Sequence, residues 1–149
     1  MNTSGKFHLL EHLIVLIIIS VVVALGVVVW SQGSIMANEA SAISSLHAIS
    51  VAETQHRLRN SVYGTLPELK DGNFISDSFL ASGKKNGYLF QASPYQNEQY
   101  YWYAEAIPER YKNSGVRSFY IDELLEIKAT DTGKATSIPQ EEAKNWPPM

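Results

Sequence analysis

The sequence predicts an α+β fold in which one long N-terminal α-helix packs on a small antiparallel β-sheet of three to four strands. Three observations support this prediction. Residues 13–30 are almost entirely apolar, and residues 43–52 repeat apolar side chains at a three-residue spacing. After residue 88 the pattern changes to the alternation and composition typical of strands. The chain of 149 residues is long enough for one modest domain.

The apolar run LIVLIIISVVVALGVVVW is predicted to lie in a transmembrane helix that spans residues 7–33. As an α-helix the run would be about 27 Å long, close to the roughly 30 Å of a bilayer core. In lipid a helix satisfies its own backbone hydrogen bonds. A cleaved signal peptide has a shorter apolar region and a small-residue cleavage site. A buried core helix would need more chain to surround it.

The flanking charges predict the orientation of this helix. Lys6 and the terminal amine precede the apolar run, and Glu39 is the first charge after it. By the positive-inside rule, residues 1–12, which include the short leader of residues 1–6, are cytoplasmic and the large domain lies on the other side of the membrane. The chain is thus expected to be a single-pass membrane protein.

Residues 34–60 are predicted to continue the helix as an amphipathic segment that enters the globular domain. They are rich in alanine and contain no proline. Apolar residues recur at three-residue steps and should face the sheet, namely Ile43, Leu46, Ile49 and Ala52. We expect Glu39, Ser45 and Glu53 to lie on other faces of this helix.

The remaining chain divides into a connecting loop (61–87), an antiparallel sheet (88–129) and a loose C-terminal tail (130–149). Within the loop, Thr65 and Glu68 fit a capping box, which predicts a short helix through Lys70. The predicted strands are separated by short loops, which favour antiparallel neighbours. They are Tyr88–Gln91, Gln99–Ile107, Arg117–Asp122 and Leu125–Ala129.

Composition excludes several classes of function. The chain has no cysteine, so it contains no disulfide and no zinc–thiolate site. The residues after 56 carry 11 basic and 12 acidic side chains, so no basic patch is expected and no nucleic acid is predicted as a direct partner.

The sequence His8-Leu-Leu-Glu11-His12 matches the H-x-x-E-H pattern of some zinc peptidases. Its position at the cytoplasmic mouth of the predicted membrane helix leaves no second helix to close a cavity. His47 and His56 would lie across the membrane and are expected at the surface or boundary of the extramembrane helix. We therefore predict no catalytic residue, no metal site and no cofactor.

The segment Phe7-His-Leu-Leu-Glu11, followed directly by a long apolar helix, resembles the N-terminus of type IV pilins and type II secretion pseudopilins. Further segments resemble one bacterial subgroup of that family. They are Ala37–Ile43, Tyr63-Gly64, Leu80–Gly83, Gly87–Phe90 and Arg117–Asp122. The resemblance covers nearly the whole chain and implies a pilin-like arrangement of helix and sheet.

The resemblance also implies how the N-terminus is used. In the family, a membrane peptidase cuts after a leader glycine and methylates the new amine. Gly5, Lys6 and Phe7 form the corresponding processing region, where glycine stands one place earlier than usual. Cleavage after Gly5, cleavage after Lys6 and no cleavage all stay open. Phe7 and Glu11 are implied in subunit contacts, because the family pairs this glutamate with the terminal amine of a neighbouring subunit.

The expected function is therefore that of a structural subunit rather than an enzyme. The resemblance implies a type IV pilus-like or secretion pseudopilus filament, a polymer with the same or other pilin-like subunits. Before assembly the protein would sit in the bacterial inner membrane, in contact with lipid, a prepilin peptidase and an assembly platform, and it would later join a periplasmic or extracellular filament. The alternative is a single-pass membrane protein that never polymerises and whose outer domain binds an envelope partner.

Overall fold

The structure is a computed structural model that describes residues 4–95, 98–136 and 139–149. Among these, the side chains of residues 4–9, 25–31, 98–99 and 140–141 are left out of the description. The chain divides into two compact units, residues 1–34 and residues 35–149. The first helix, α1 (Ser4–Asn60), contributes to both units.

The second unit has an α+β fold in which α1 packs on a five-stranded antiparallel sheet. The strands follow chain order across the sheet and are β1 (Lys84–Lys85), β2 (Tyr88–Tyr95), β3 (Glu98–Pro108), β4 (Ser118–Asp122) and β5 (Lys128–Thr130). The sheet thus has one strand more than the largest number predicted. The additional strand is β1, which lies in the segment expected to be a loop.

A tight turn explains why β1 forms. Asn86 and Gly87 have φ values of 46° and 73°, the left-handed conformation that two-residue hairpins require at both central positions. This turn pairs Lys85 with Tyr88 and Lys84 with Leu89. The two lysines stand on a sheet edge, where charged side chains hinder pairing with another chain.

The main core lies between α1 and one face of the sheet. Leu46, Ile49 and Ala52 are buried there, and Ile43 packs against the same cluster, so the predicted sheet-facing stripe is confirmed. The sheet contributes alternate residues to this core, as the period of two in a strand requires. These are Phe90, Ala92, Trp102, Ala104, Ala106, Phe119 and Ile121.

The prediction that Glu39, Ser45 and Glu53 lie on other faces of α1, away from the core, is wrong. Glu39, Ser45 and Glu53 are all buried, with exposed fractions of 7%, 2% and 0%. His56, expected at the surface or boundary, is also buried, whereas His47 is exposed as predicted. The carboxylates are buried because later segments of the chain supply hydrogen-bond donors to them, which a hydropathy pattern does not register.

The opposite face of the sheet is covered by the C-terminal residues, which contain α4 (Gln140–Ala143). Ala143 and Trp146 are buried in a second cluster with Tyr103, Ile107 and Tyr120. In addition, the N–H of Ala129 donates to the carbonyl of Pro147 at 3.3 Å, and the N–H of Met149 donates to the carbonyl of Ile127 at 3.1 Å. The prediction of a loose tail is therefore wrong for this part, which covers the outer edge of β5.

The connecting segment contains two short helices, α2 (Leu66–Asp71) and α3 (Ser78–Ala81). The Glu68 carboxylate accepts hydrogen bonds from the N–H of Thr65 at 2.7 Å and from its hydroxyl at 2.9 Å, which confirms the predicted helix start. Leu66, Leu69 and Leu80 anchor these helices in the main core.

Candidate functional site

The residues predicted to be processed and to join subunits lie at the start of α1. Gly5, Lys6 and Phe7 belong to this helix, and their side chains are outside the described set. The side chain of Glu11 is exposed. The roles assigned to these four residues therefore stay predictions.

The first unit presents an apolar helical surface on every side. From Leu10 to Val23 the eleven large apolar side chains are each between 49% and 65% exposed. Ser20, the polar residue between Leu13 and Val23, donates its hydroxyl hydrogen bond to the carbonyl of Ile17 at 2.7 Å. A helix that is apolar all round is typical of a buried or membrane-inserted environment. This surface therefore needs an apolar partner.

The predicted transmembrane segment 7–33 extends beyond the described side chains at residues 7–9 and 25–31. Within the described residues, no helix is at once long enough and apolar enough to cross a membrane.

In the second unit, the side of α1 that faces away from the sheet carries no charged residue between Met36 and Gln55. This uncharged outer face is formed by exposed residues at helical spacing, namely Met36, Ala37, Ala40, Ser44, His47, Ala48, Val51, Thr54 and Gln55. The solvent side of an amphipathic helix normally carries charged and polar residues. Here the two carboxylates of the segment, Glu39 and Glu53, point into the domain instead.

Glu39 joins α1 to the loop before β4. Its carboxylate accepts hydrogen bonds from the N–H of Val116 at 3.0 Å, from the N–H of Arg117 at 3.1 Å and from Nε of Arg117 at 2.9 Å. Burial raises the pKa of this carboxyl, but the hydrogen bonds and the positive charge of Arg117 outweigh burial and leave the pKa below its usual value. The charged form is therefore retained at neutral pH and holds helix and sheet together.

Glu53 and His56 hold the segment that follows α1. The N–H of Gly64 donates to Oε2 of Glu53 at 2.9 Å, and Nδ1 of His56 lies 2.8 Å from the carbonyl oxygen of Val62. Oε1 of Glu53 is buried without a hydrogen-bond partner among the described residues. Burial raises the pKa of Glu53 to about 7; the bond from Gly64 opposes this shift and the charge of Glu68 adds to it.

Among the described residues, no group of three or more His, Cys, Asp or Glu side chains could hold a metal ion. The described part of the H-x-x-E-H sequence, Glu11 and His12, lies on the exposed surface of α1. His47 is exposed and His56 is buried against Gly64, and neither belongs to such a group.

We compared the chain with protein-family models, curated proteins and solved structures, and found no significant match in any of the three.

Sequence reasoning found the apolar segment but missed the uncharged outer face of α1. The signal was present, because a helical wheel of residues 34–56 places both carboxylates on the apolar stripe and none on the opposite side. The two exposed faces of α1, one in each unit, are the candidate functional site.

Proposed function

We propose that this protein is a structural subunit of a filament of the type IV pilin or pseudopilin class, held in a bilayer through its N-terminal helix before assembly. The arrangement of a long N-terminal helix on an antiparallel sheet is in keeping with this class, as are the N-terminal residues discussed above. The protein acts mechanically and performs no reaction.

One observation carries the proposal: α1 leaves an apolar surface without cover in the first unit and an uncharged face without cover in the second. The large apolar side chains from Leu10 to Val23 are about half exposed on all sides of the helix, and the outer face from Met36 to Gln55 lacks charge. Large exposed apolar patches mark surfaces that contact a membrane or another protein. A bilayer can cover the first surface, and neighbouring copies of α1 can cover both.

The outer face also has the side chains that close helix packing requires. Ala40, Ser44 and Ala48 recur at four-residue steps and let a neighbouring backbone approach closely. For the apolar surface from Leu10 to Val23, association in lipid brings no hydrophobic gain, so close packing must supply the stabilisation there. The helices exchange lipid contacts for contacts with one another as subunits enter the filament.

Glu11 supplies the register in this proposal. A carboxylate at the boundary of an apolar helix is costly unless it is paired. The resemblance implies that its partner in the filament is the N-terminal amine of a neighbouring subunit. We expect Glu11→Ala to insert in membranes as the wild type does and to reduce incorporation into sheared surface filaments at least tenfold, about 1.4 kcal/mol or more.

The matched control is Glu142→Ala, which removes an exposed carboxylate from the domain and should leave incorporation unchanged. Intact mass of the subunit from sheared filaments gives the cleavage site and N-methylation in the same experiment. Equal incorporation of Glu11→Ala and Glu142→Ala would refute the pairing. A chain that is uncleaved, monomeric in detergent and missing from any filament would instead favour the non-polymerising membrane protein.

A further inference from the structure

A groove and a turn of the second unit have opposite charges, and both present exposed apolar side chains. The groove has a volume of about 500 Å³ and lies where α1 ends against the start of β3. Its lining combines apolar, aromatic and hydroxyl side chains with one cation. The lining residues are Thr54, Arg57, Leu58, Ser61, Tyr63 and Tyr100.

Arg57 is held in place inside this groove. Its Nη1 donates to the hydroxyl of Tyr63 at 2.7 Å, and its guanidinium lies 5.0 Å from the ring centre of Tyr63 and 5.8 Å from that of Tyr100. Among the described residues, no carboxylate lies within salt-bridge distance of Arg57. A guanidinium stacked in this way is preorganised to accept a carboxylate from outside.

The walls of the groove are apolar and exposed. Leu58 is 82% exposed and Tyr100 is 67% exposed, so most of each apolar side chain contacts solvent. Tyrosine and arginine are enriched at the energetic centre of protein–protein contacts, and this groove presents two tyrosines beside Arg57.

The turn between β4 and β5 carries negative charge, opposite to the positive charge of Arg57 in the groove. It presents Leu124 and Leu125, which are 70% and 54% exposed, between Glu123 and Glu126. The N–H of Leu124 donates to Oδ1 of Asp122 at 3.0 Å, and the N–H of Leu125 donates to the carbonyl of Asp122 at 2.9 Å, which fixes the turn. Glu126 is exposed and forms no salt bridge with another described residue.

We propose that the Glu123–Glu126 turn of one copy of this chain docks into the Arg57–Tyr63–Tyr100 groove of a second copy, with Glu126 paired to Arg57 and the leucines against Leu58 and Tyr100. This inference rests on the proposed function, because it names a contact between the outer domains of neighbouring subunits. A contact made in one direction leaves the groove of one copy and the turn of the other free for further copies, as a growing polymer requires.

Charge reversal tests the pairing. Arg57→Glu and Glu126→Arg alone should each lower the yield of sheared filaments about tenfold, because each places like charges in contact, and the double variant should restore most of the yield. Lys134→Glu is the control, since Lys134 is an exposed cation on another turn. Rescue by the double variant separates the contact from a folding defect, which the second substitution would not repair.

A crosslinking experiment tests the contact without a filament. The chain has no cysteine, so two full-length single-cysteine variants in detergent micelles, Thr54→Cys and Leu124→Cys, can be joined by a short bis-maleimide only between copies. We expect a covalent heterodimer of the two variants, identified by its mass. Its yield should be about five times that of the control pair, in which Lys134→Cys replaces Leu124→Cys, because a docking free energy near 1 kcal/mol corresponds to a ratio of about five.

The outcomes separate this contact from the proposed function. If filaments form but charge reversal and crosslinking match their controls, the docking contact is refuted and the filament proposal stands. If crosslinking exceeds the control and Arg57→Glu abolishes it with rescue by Glu126→Arg, while no filament is found, the contact stands and the filament proposal fails.

Discussion

The pKa values of two buried carboxyl groups on α1 shift in opposite directions because their hydrogen-bond partners differ. Glu39 accepts three hydrogen bonds from Val116 and Arg117 and keeps its charge. Glu53 accepts one, from Gly64, and its other oxygen is buried without a hydrogen-bond partner among the described residues. Hydrogen bonds to the charged form lower a pKa and desolvation raises it, so the pKa of Glu39 falls and that of Glu53 rises.

Glu53 should make the stability of the domain depend on pH. Its pKa rises from 4.5 to about 7 on folding, so the folded state binds more protons between these values. The contribution of Glu53 to the free energy of unfolding should therefore fall by up to about 3 kcal/mol as pH rises from about 4.5 to 7, and level off above. We expect Glu53→Gln to remove this slope in chemical denaturation of the full-length chain in micelles.

The comparison requires measurements at pH 5 and pH 8. At pH 5 the stability of Glu53→Gln should be close to that of the wild type, and at pH 8 Glu53→Gln should be the more stable of the two. Glu142→Gln, at an exposed position, is the control and should keep the slope of the wild type. Equal changes in the free energy of unfolding from pH 5 to pH 8 for wild type and Glu53→Gln would contradict the assignment to Glu53.

At the scale of elements, the C-terminal residues complete the sheet. One face of the sheet packs on α1, and the other is covered by Ala143 and Trp146 of the C-terminal segment. Lys128 reaches from β5 to the carbonyl of Lys144 at 2.7 Å, and Pro147 and Met149 pair with the edge of that strand. Pairing this edge removes a template for unwanted association at β5.

Removal of Trp146 should therefore destabilise the domain. The side chain is only 8% exposed and packs with Tyr103, Ile107 and Tyr120. We expect Trp146→Ala to lower the free energy of unfolding by about 3 kcal/mol, the cost of a large aromatic lost from a packed cluster. Phe79→Ala, at a side chain 71% exposed, should change it by less than about 0.5 kcal/mol. Equal effects of the two substitutions in chemical denaturation would show that the C-terminal segment contributes no packing.

At the scale of the whole molecule, the surfaces of α1 and the groove of the outer domain serve separate steps in the proposed assembly. The first unit supplies an apolar surface from Leu10 to Val23, and the second supplies the uncharged outer face from Met36 to Gln55. The outer face is uncharged because Glu39 and Glu53 point into the domain. There Val116 and Arg117 donate hydrogen bonds to Glu39, and Gly64 donates one to Glu53.

A charge on the outer face should block assembly while leaving the subunit folded. Ala40 is exposed on this face, so Ala40→Lys should change the free energy of unfolding by no more than about 0.5 kcal/mol. In a packed filament the same lysine would be buried without a partner, and we expect filament yield to fall at least tenfold. Ala135→Lys adds the same charge at an exposed position elsewhere and should assemble normally. Normal yield from Ala40→Lys would show that this face is not covered in the filament.

Local sequence patterns predicted several elements correctly. The three-residue spacing of Leu46, Ile49 and Ala52 predicted the core face of α1, and the capping pattern of Thr65 and Glu68 predicted α2. The strands from β2 to β5 appear in their predicted order. These features depend on residues within a few positions of one another, because helical and strand periods are properties of the local backbone.

The sequence by itself determined the elements whose cause is local: the apolar character of the first helix, its core stripe and the alternation of the strands. Tertiary structure alone decided that Glu39 lies against residues 77 and 78 positions away, that Glu53 is enclosed by Gly64, and that Trp146 covers the back of the sheet. The reason is that a polar or terminal residue is buried or exposed according to the donors and apolar surface that distant segments bring to it. Those donors and apolar surfaces come into contact with the residue only when the chain folds.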